Sequence, residues 1–283
     1  EMYDGYKAQR KPMPDDLAVQ MPVLKEVLDA AGIRRIEVAG YEADDVLGTM
    51  GKKCEAEDAD CVIVTGDKDS FQLITDKTHV RHVRTKSGQT ETNEYDVPRF
   101  EEEYGFAPPL MVDLKALMGD PSDNIPGVRG IGEKTALDLV RRFGTVGSIY
   151  EKLPELDVKE SVRKKLAEGK ESAKLSYTLA TIDTDVPMEQ KPEDAAFKGF
   201  SGAALYDVLH RLGFNRFIDR WNLSPGEGAV EKAALAALPY VDSADAETIL
   251  AAVKKAEYIS VLTRDNLDSL EICDGENIYG VGW

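Results

Sequence analysis

The run GDPSDNIPGVRGIGEKTA, residues 119–136, constrains this chain more than any other stretch. Gly127, Gly130 and Gly132 punctuate a tight turn, and from Glu133 to Phe143 apolar residues recur at helical spacing through Ala136, Leu137, Leu139, Val140 and Phe143. A helix entered through glycines presents free backbone N–H groups with little bulk over them, which suits an approaching phosphate. The plain alternative is a helix–turn–helix corner whose glycines serve only positive φ. Just upstream, Asp120 and Asp123 place two carboxylates in the same turn. One half of the stretch suits a cation and the other an anion.

A net charge of −17 over 283 residues argues against nucleic acid as a partner unless basic groups are gathered locally. Two patches do gather them: Lys7, Arg10 and Lys11, then Arg129, Lys134, Arg141 and Arg142. Solvated helix faces would explain either patch equally well. With 42% hydrophobic and 31% charged residues the chain reads as soluble and globular, with no apolar run of membrane-spanning length and no signal peptide. A cytoplasmic location is expected. Cys54, Cys61 and Cys273 lack metal-ligand spacing and read as small hydrophobes in a reducing compartment; His79, His82 and His210 have no ligand-spaced neighbour.

Taken in order, the chain opens without an apolar strand, which suggests truncation. After Pro12 and Pro14, Asp15 or Asp16 is expected to cap one helix carrying Leu17, Met21, Leu24, Val27, Leu28 and Ala31 up to Gly32, with a strand over 33–38. Glu42, Asp44 and Asp45 then begin a helix. Acids complement a helix dipole, but Glu42 and Asp45 share a face and Asp44 joins them just past a strand end. Residues 60–65 read as a strand buried on both faces of a parallel sheet, ending in Asp67 and Asp69, where open α/β sheets bind ligands.

Residues 79–85 are expected as a strand turned back by 86–88, and 97–104 and 109–118 as helices. Short helices with charged turns should fill 145–190, among them a basic stretch at Arg163, Lys164 and Lys165, and an amphipathic helix should span 203–212. Ser224 to Gly228 is the clearest linker. Beyond it, strands at 240–241, 258–262, 269–273 and 278–281 and a helix at 244–256 open a second domain.

If Glu42/Asp44/Asp45, Asp67/Asp69 and Asp120/Asp123 converge, they cannot all ionise unaided, because like charges within about 4–6 Å oppose each other's ionisation. Divalent cations resolve that conflict, and all-carboxylate oxygen ligands select Mg2+ or Mn2+ over zinc. Two ions about 3.5–4 Å apart can activate a water and stabilise the leaving oxygen of a phosphodiester.

Four motifs, YDGYKAQR at 3–10, GYEADD at 40–45, TGDKDSFQL at 65–73 and GDPSDNIPGVRGIGEKTA at 119–136, resemble in order and spacing the 5′-nuclease domain of bacterial DNA polymerase I, a flap-endonuclease family domain. The resemblance covers about residues 1–220. It implies an α/β, PIN-like core with a mostly parallel twisted sheet flanked by helices, a helix-hairpin-helix region over about 107–215, a 5′-nuclease domain over 1–223, a linker over 224–236 and an incomplete 3′–5′ exonuclease-like domain over 237–283. It also implies metal ligation by Glu42, Asp44, Asp45, Asp67, Asp69, Asp120 and Asp123, with Asp45 and Asp67 catalytic. Lys7 and Arg10 would engage the scissile phosphate. Gly127, Arg129, Gly130, Gly132, Lys134 and Thr135 would grip duplex DNA, with K+ on the hairpin carbonyls.

The implied partner is flap, nicked or branched DNA, met by a monomer in a bacterial, nucleoid-associated setting. Residues 259–265, ISVLTRD, lack the Asp-x-Glu of active proofreading domains. The family's N-terminal strand and its acidic residues precede the first residue here, so loosened metal binding and lost stability are expected. Two other readings stay open: a catalytically weak chain that only binds branched or nicked duplex, and a Mg2+ phosphotransferase on small phosphate esters built on Asp67 and Asp69.

Overall fold

The computed structural model describes residues 3–86, 88–226, 240–241, 246–255, 260–263, 269–273 and 277–282. They fall into two compact units, 1–198 and 199–283.

The first unit begins with two helices where the spacing predicts one: α1 (Asp15–Ala18) and α2 (Met21–Ala30). Pro22 has no N–H to donate, and its ring would strike the carbonyl one turn back, so the helix restarts there. Neither helix buries a residue, and Leu17 and Leu24 lie about half exposed on the face that the spacing marks as apolar. Residues 33–38, expected as a strand, are in no ladder among the described residues. Arg35 and Glu37 there pair with Asp29 (2.8 Å) and Lys25 (2.7 Å) instead.

α3 (Ala43–Ala56) leads to β1 (Cys61–Thr65), a 3-10 helix (Lys68–Leu73), β2 (Thr78–Lys86) and β3 (Gln89–Tyr95). β1 runs parallel to β2 with Ile63 opposite Val80, and β2 antiparallel to β3 with Val80 opposite Tyr95. The expected mostly parallel sheet is thus a small mixed one, ordered β1-β2-β3. β1 is also buried on one face rather than both. Ile63, Thr78, Val80 and His82 turn inward, while alternation carries Val62 (46% exposed) and Val64 (59%) to solvent. Phe71, fully buried, anchors the 3-10 helix by ring contacts with His82, Tyr95, Phe100 and Tyr104 at centroid separations of 4.6–6.0 Å.

α4 (Val97–Tyr104) starts at Asp96, whose carboxylate takes the Arg99 N–H at 2.8 Å, and stops at Gly105 in the left-handed region. A 3-10 turn (Pro108–Leu110) then opens α5 (Met111–Met118), which is buried along nearly its whole length and packs on two later helices, α6 (Glu133–Phe143) and α9 (Lys170–Ala180). α6 has the bounds read from the sequence. After it come α7 (Val146–Glu151), α8 (Glu160–Glu168) and α9 (Lys170–Ala180), as the alternation of helices and charged turns predicts.

In the second unit α10 (Gly202–Arg211) and α11 (Asn215–Arg220) precede a sheet of β4 (Tyr240–Val241), β5 (Ser260–Thr263), β6 (Ser269–Cys273) and β7 (Ile278–Gly282), with α12 (Ala246–Val253) after β4. The order is β4-β7-β6-β5, with β4 parallel to β7 and the other pairs antiparallel. Residues 227–228 of the expected linker, and Ile259, Arg264 and Asp265 of the segment lacking Asp-x-Glu, lie outside the described residues.

Candidate metal and nucleic-acid site

α5 ends at Gly119 (φ +75°), and the loop after it closes on itself, because Asp120 and Ile125 exchange backbone hydrogen bonds of 2.9 and 2.8 Å. Ser122 donates its N–H (2.8 Å) and its hydroxyl (2.6 Å) to Asp120 Oδ1, which leaves Oδ2 for Lys115 Nζ at 2.7 Å. The same ammonium meets Asp69. Lys115 is only 6% exposed, one turn before the end of α5. Sequence reasoning passed over it, although the lone cation of a helix whose only other charge is Asp113 was the available signal.

Asp67 caps the 3-10 helix by accepting the Asp69 N–H at 3.0 Å. Gln72, in the same helix, donates to the carbonyls of Asp69 and Ala180 and accepts the Ile182 N–H, each at 3.0 Å. This second unforeseen residue fastens the Asp69 turn to the chain leaving α9. At the start of α3 the three acids divide in role. Asp45 takes the Glu42 N–H at 3.0 Å and the Asp183 N–H at 2.9 Å, so it serves as a helix cap and a loop tether. Asp44 accepts the Ser70 hydroxyl at 3.4 Å, and burial, then the Asp67 charge, push its carboxyl up.

Residues 3–10 dock on the 120–125 loop through Lys7 N–H to Asp123 O (2.9 Å) and Asn124 Nδ2 to Gly5 O (2.6 Å). The Lys7 ammonium lies between Glu42 and Asp123, 3.7 Å from the latter, and Arg10 pairs with Asp123 as well. The first basic patch is therefore committed to acids at two of its three positions. Burial drives the Asp69 carboxyl up to about 6 against the pull of Lys115. Burial acts the same way on Asp120, but Lys115 and Ser122 overcome it and draw that carboxyl down to about 2.

Glu42, Asp44, Asp45, Asp69 and Asp123 line one cleft of about 600 Å3, and Asp120 joins Asp69 through Lys115. The acids do gather from three distant segments. They do not face one another directly as expected: among the described residues no three acidic side chains are set to hold a metal ion, and Lys7 and Lys115 stand between them. The reason is electrostatic, since buried like charges need a cation to stay ionised. The donor set is all carboxylate oxygen, and Asp69 ionises readily only beside a cation. These residues therefore fit a hard divalent ion, with two ammonium groups competing for the same oxygens.

The hairpin glycines also differ from one another. Gly127 (φ +59°) lies so close to Gly119 that an added Cβ would sit 2.6 Å from its Cα. Gly130 (φ +83°) lies under Lys165, whose Nζ donates to its carbonyl at 2.9 Å. Gly132 has φ −95° and nothing within 4 Å of its missing side chain, so positive φ is not its reason; it leaves the first turn of α6 open. Arg129 and Lys134 are exposed there, and Thr135 gives its N–H to Gly132 O at 3.0 Å. By contrast Arg141 donates to Tyr104 O (2.5 Å), Arg142 to Asp138 (3.2 Å) and Asp157 (3.1 Å), and Arg163 to Leu153 O and Leu156 O (2.9 Å each). Much of the basic composition serves the fold. Cys54 and Cys61 are free thiols, and His82 is a core residue bonded to Gly66 O at 3.1 Å. No helix of the described residues is long and apolar enough to cross a membrane.

Two adjoining family models match the chain: the 5′-3′ exonuclease N-terminal resolvase-like domain over residues 1–105, and the 5′-3′ exonuclease C-terminal SAM fold over 106–203. DNA polymerase I of Caldicellulosiruptor bescii is 45% identical over 222 residues, 78% of this chain and 26% of the relative. DNA polymerase I of Bacillus subtilis is 41% identical over 218 residues, 77% of this chain and 24% of the relative. The chain thus spans about a quarter of the length of these relatives.

Among solved structures, T5 5′-exonuclease with bound divalent zinc ions has a TM-score of 0.54 at 27% identity, covering 74% of this chain and 75% of that one. A T5 flap endonuclease in a pseudo-enzyme–product complex with DNA and metal ions has a TM-score of 0.53 at 26% identity, covering 74% and 77%. With a resolvase-like domain followed by a helical SAM fold over residues 1–203, and homology to the N-terminal part of DNA polymerase I, the chain belongs to the 5′–3′ exonuclease family.

Proposed function

We propose that the chain is a divalent-metal-dependent, structure-specific 5′–3′ exonuclease and flap endonuclease that hydrolyses DNA phosphodiesters, as the N-terminal part of a DNA polymerase I in replication and repair. The observation that carries this reading is the Lys115 ammonium between Asp69 and Asp120: acids from distant segments enclose one cation beside a hairpin whose outermost glycine is open. Asp69, Asp120, Asp67, Asp44, Asp45, Glu42 and Asp123 would hold Mg2+ or Mn2+, in two ions. Those ions would supply an activated water and a Lewis acid for the leaving oxygen.

The chain's own groups do the rest. Lys7 and Arg10, released from Glu42 and Asp123 as metal takes those oxygens, would bind the scissile phosphate. Gly132 and the first turn of α6, with Arg129, Lys134 and Thr135, would hold the duplex backbone. Gly127 and Gly130 shape that turn. K+ on the hairpin carbonyls would have to displace Lys165 from Gly130. The domain limits 1–223, 224–236 and 237–283, the 3′–5′ exonuclease-like character of the last, the monomeric state and the cytoplasmic, nucleoid-associated location belong to the same proposal.

Asp67→Asn tests it. With Mg2+, cleavage of a 5′-labelled flap duplex is expected to fall at least about 100-fold, while duplex binding in EDTA stays within about threefold. Cleavage persisting in the variant sinks the reading. The binding-only alternative is less well supported, because both family domains are present. It predicts salt-sensitive DNA binding and no turnover by the unsubstituted chain.

A second experiment separates the hairpin glycines. Gly132→Ala places its methyl in open space, so urea melts should show a loss below about 1 kcal/mol. Duplex affinity should nevertheless drop about fivefold, as the methyl covers N–H groups that meet phosphate. Unchanged affinity would remove Gly132 from the interface.

A further inference from the structure

A second cavity of about 640 Å3 in the first unit contains none of the acids that line the carboxylate cleft. Its lining includes Asp113 of α5, Tyr150 and Glu151 of α7, and Lys170, Lys174, Tyr177 and Thr178 of α9. Thr178 also lines the carboxylate cleft, so the two hollows adjoin along α9.

Tyr150 Oη is buried with no hydrogen-bond partner. Leaving such a hydroxyl unpaired carries a desolvation cost that a phenylalanine would avoid. Burial pushes this hydroxyl up to about 12, so it stays a donor. Asp113 is only 3% exposed and accepts the Val146 N–H through Oδ1 at 2.7 Å, which gives the cavity a carboxylate wall. Tyr177 presents a ring that is 41% exposed. Lys170 and Lys174, one turn apart on α9, are exposed and in no ion pair among the described residues.

We infer that this cavity binds a nucleotide, with the base inside against Tyr150 and Tyr177 and the phosphate on Lys170 and Lys174. Each part answers a different group. An exocyclic amine supplies the N–H donor that a buried carboxylate wants, and a ring nitrogen or carbonyl accepts from the Tyr150 hydroxyl. Every base has a π-face that can stack on a tyrosine ring. Paired ammonium groups favour a dianion, and a phenyl phosphate would offer the Asp113 carboxylate no donor beyond the Val146 N–H. A free nucleotide and one residue of a single strand passing along α9 share this chemistry.

The test is equilibrium binding to the full chain in EDTA, where no cleavage is needed, so failure of the nuclease reading leaves it intact. The probes are dAMP, a ten-residue oligo(dA), and deoxyribose 5-phosphate as the baseless control. Saturable binding of dAMP or oligo(dA) is expected, with the baseless sugar at least about tenfold weaker. Tyr150→Phe should weaken binding about fivefold while leaving Tm unchanged or raised, and Lys170→Ala with Lys174→Ala should weaken it about tenfold.

Oligo(dA) bound much more tightly than dAMP, and retained when Arg129 and Lys134 are both changed to Ala, identifies a strand; equal affinities identify the free nucleotide. Two results overturn the inference: no saturable binding of either probe, or binding that survives both the Tyr150 and the lysine variants unchanged.

Discussion

Lys115→Met is expected to lower stability in EDTA by about 3–5 kcal/mol near neutral pH, the cost of removing one partner from a buried ion cluster. Methionine fills much the same volume, so the loss is electrostatic rather than a cavity effect. In the parent protein Asp120 is drawn down to about 2 by Lys115 and Ser122, and Asp69, though driven up to about 6 by burial, has the same ammonium beside it. Without the ammonium both carboxyls should rise above their unfolded values. The folded state then binds more protons than the unfolded one between those values, so stability falls as pH rises through that window. Acidification towards pH 5 should therefore recover part of the loss.

Mg2+ should recover more of it in the variant than in the parent, because the ion no longer competes with the ammonium for Asp69 and Asp120. Urea melts with and without Mg2+ at two pH values decide the matter. A loss below about 1 kcal/mol, or one that grows on acidification, would show that Lys115 does not neutralise this cluster.

The prominence of Lys115 marks the limit of what the sequence makes legible. Helix α6 could be read to the residue because its glycine entry and apolar period are local properties, resolved within a dozen positions. The acids were legible as types beside strand ends and helix starts. Which groups would separate them was not, because Lys115 reaches Asp69 across 46 positions, Gln72 reaches Ala180 across 108 and Asp183 reaches Asp45 across 138. No periodicity carries information over such distances. Local signals failed elsewhere for the complementary reason. Among the described residues, 33–38 have strand composition without a ladder partner, and β1 has the apolar run of a doubly buried strand with only one face covered. In both cases the burial that a pattern demands depends on a neighbour that the pattern does not encode.

Gly127→Ala should have the larger consequence for function, because it touches both halves of the site at once. At φ +59° an alanine costs about 1–2 kcal/mol from backbone conformation alone. Its methyl would also lie 2.6 Å from Gly119 Cα and Met118 C, which are main-chain atoms with no rotamer to yield, adding about 1–3 kcal/mol of overpacking. The hairpin has little freedom to retreat: Gly127 N–H donates to the buried Ser176 Oγ at 2.9 Å, and Gly127 O accepts from Ser172 Oγ at 2.5 Å, both on α9. The expected loss is about 2–5 kcal/mol.

If the chain yields instead at Gly119, the displacement passes directly to Asp120, whose Oδ2 holds Lys115, so metal affinity should fall together with duplex affinity. Gly132→Ala, five residues on, should spare stability and metal binding and weaken DNA alone. Melting, Mg2+ titration and duplex binding on the two variants side by side separate a glycine required by backbone contact from one required by a ligand. A Gly127 variant within about 1 kcal/mol of the parent, with both affinities intact, would refute the claim that α5 and the hairpin meet main chain to main chain.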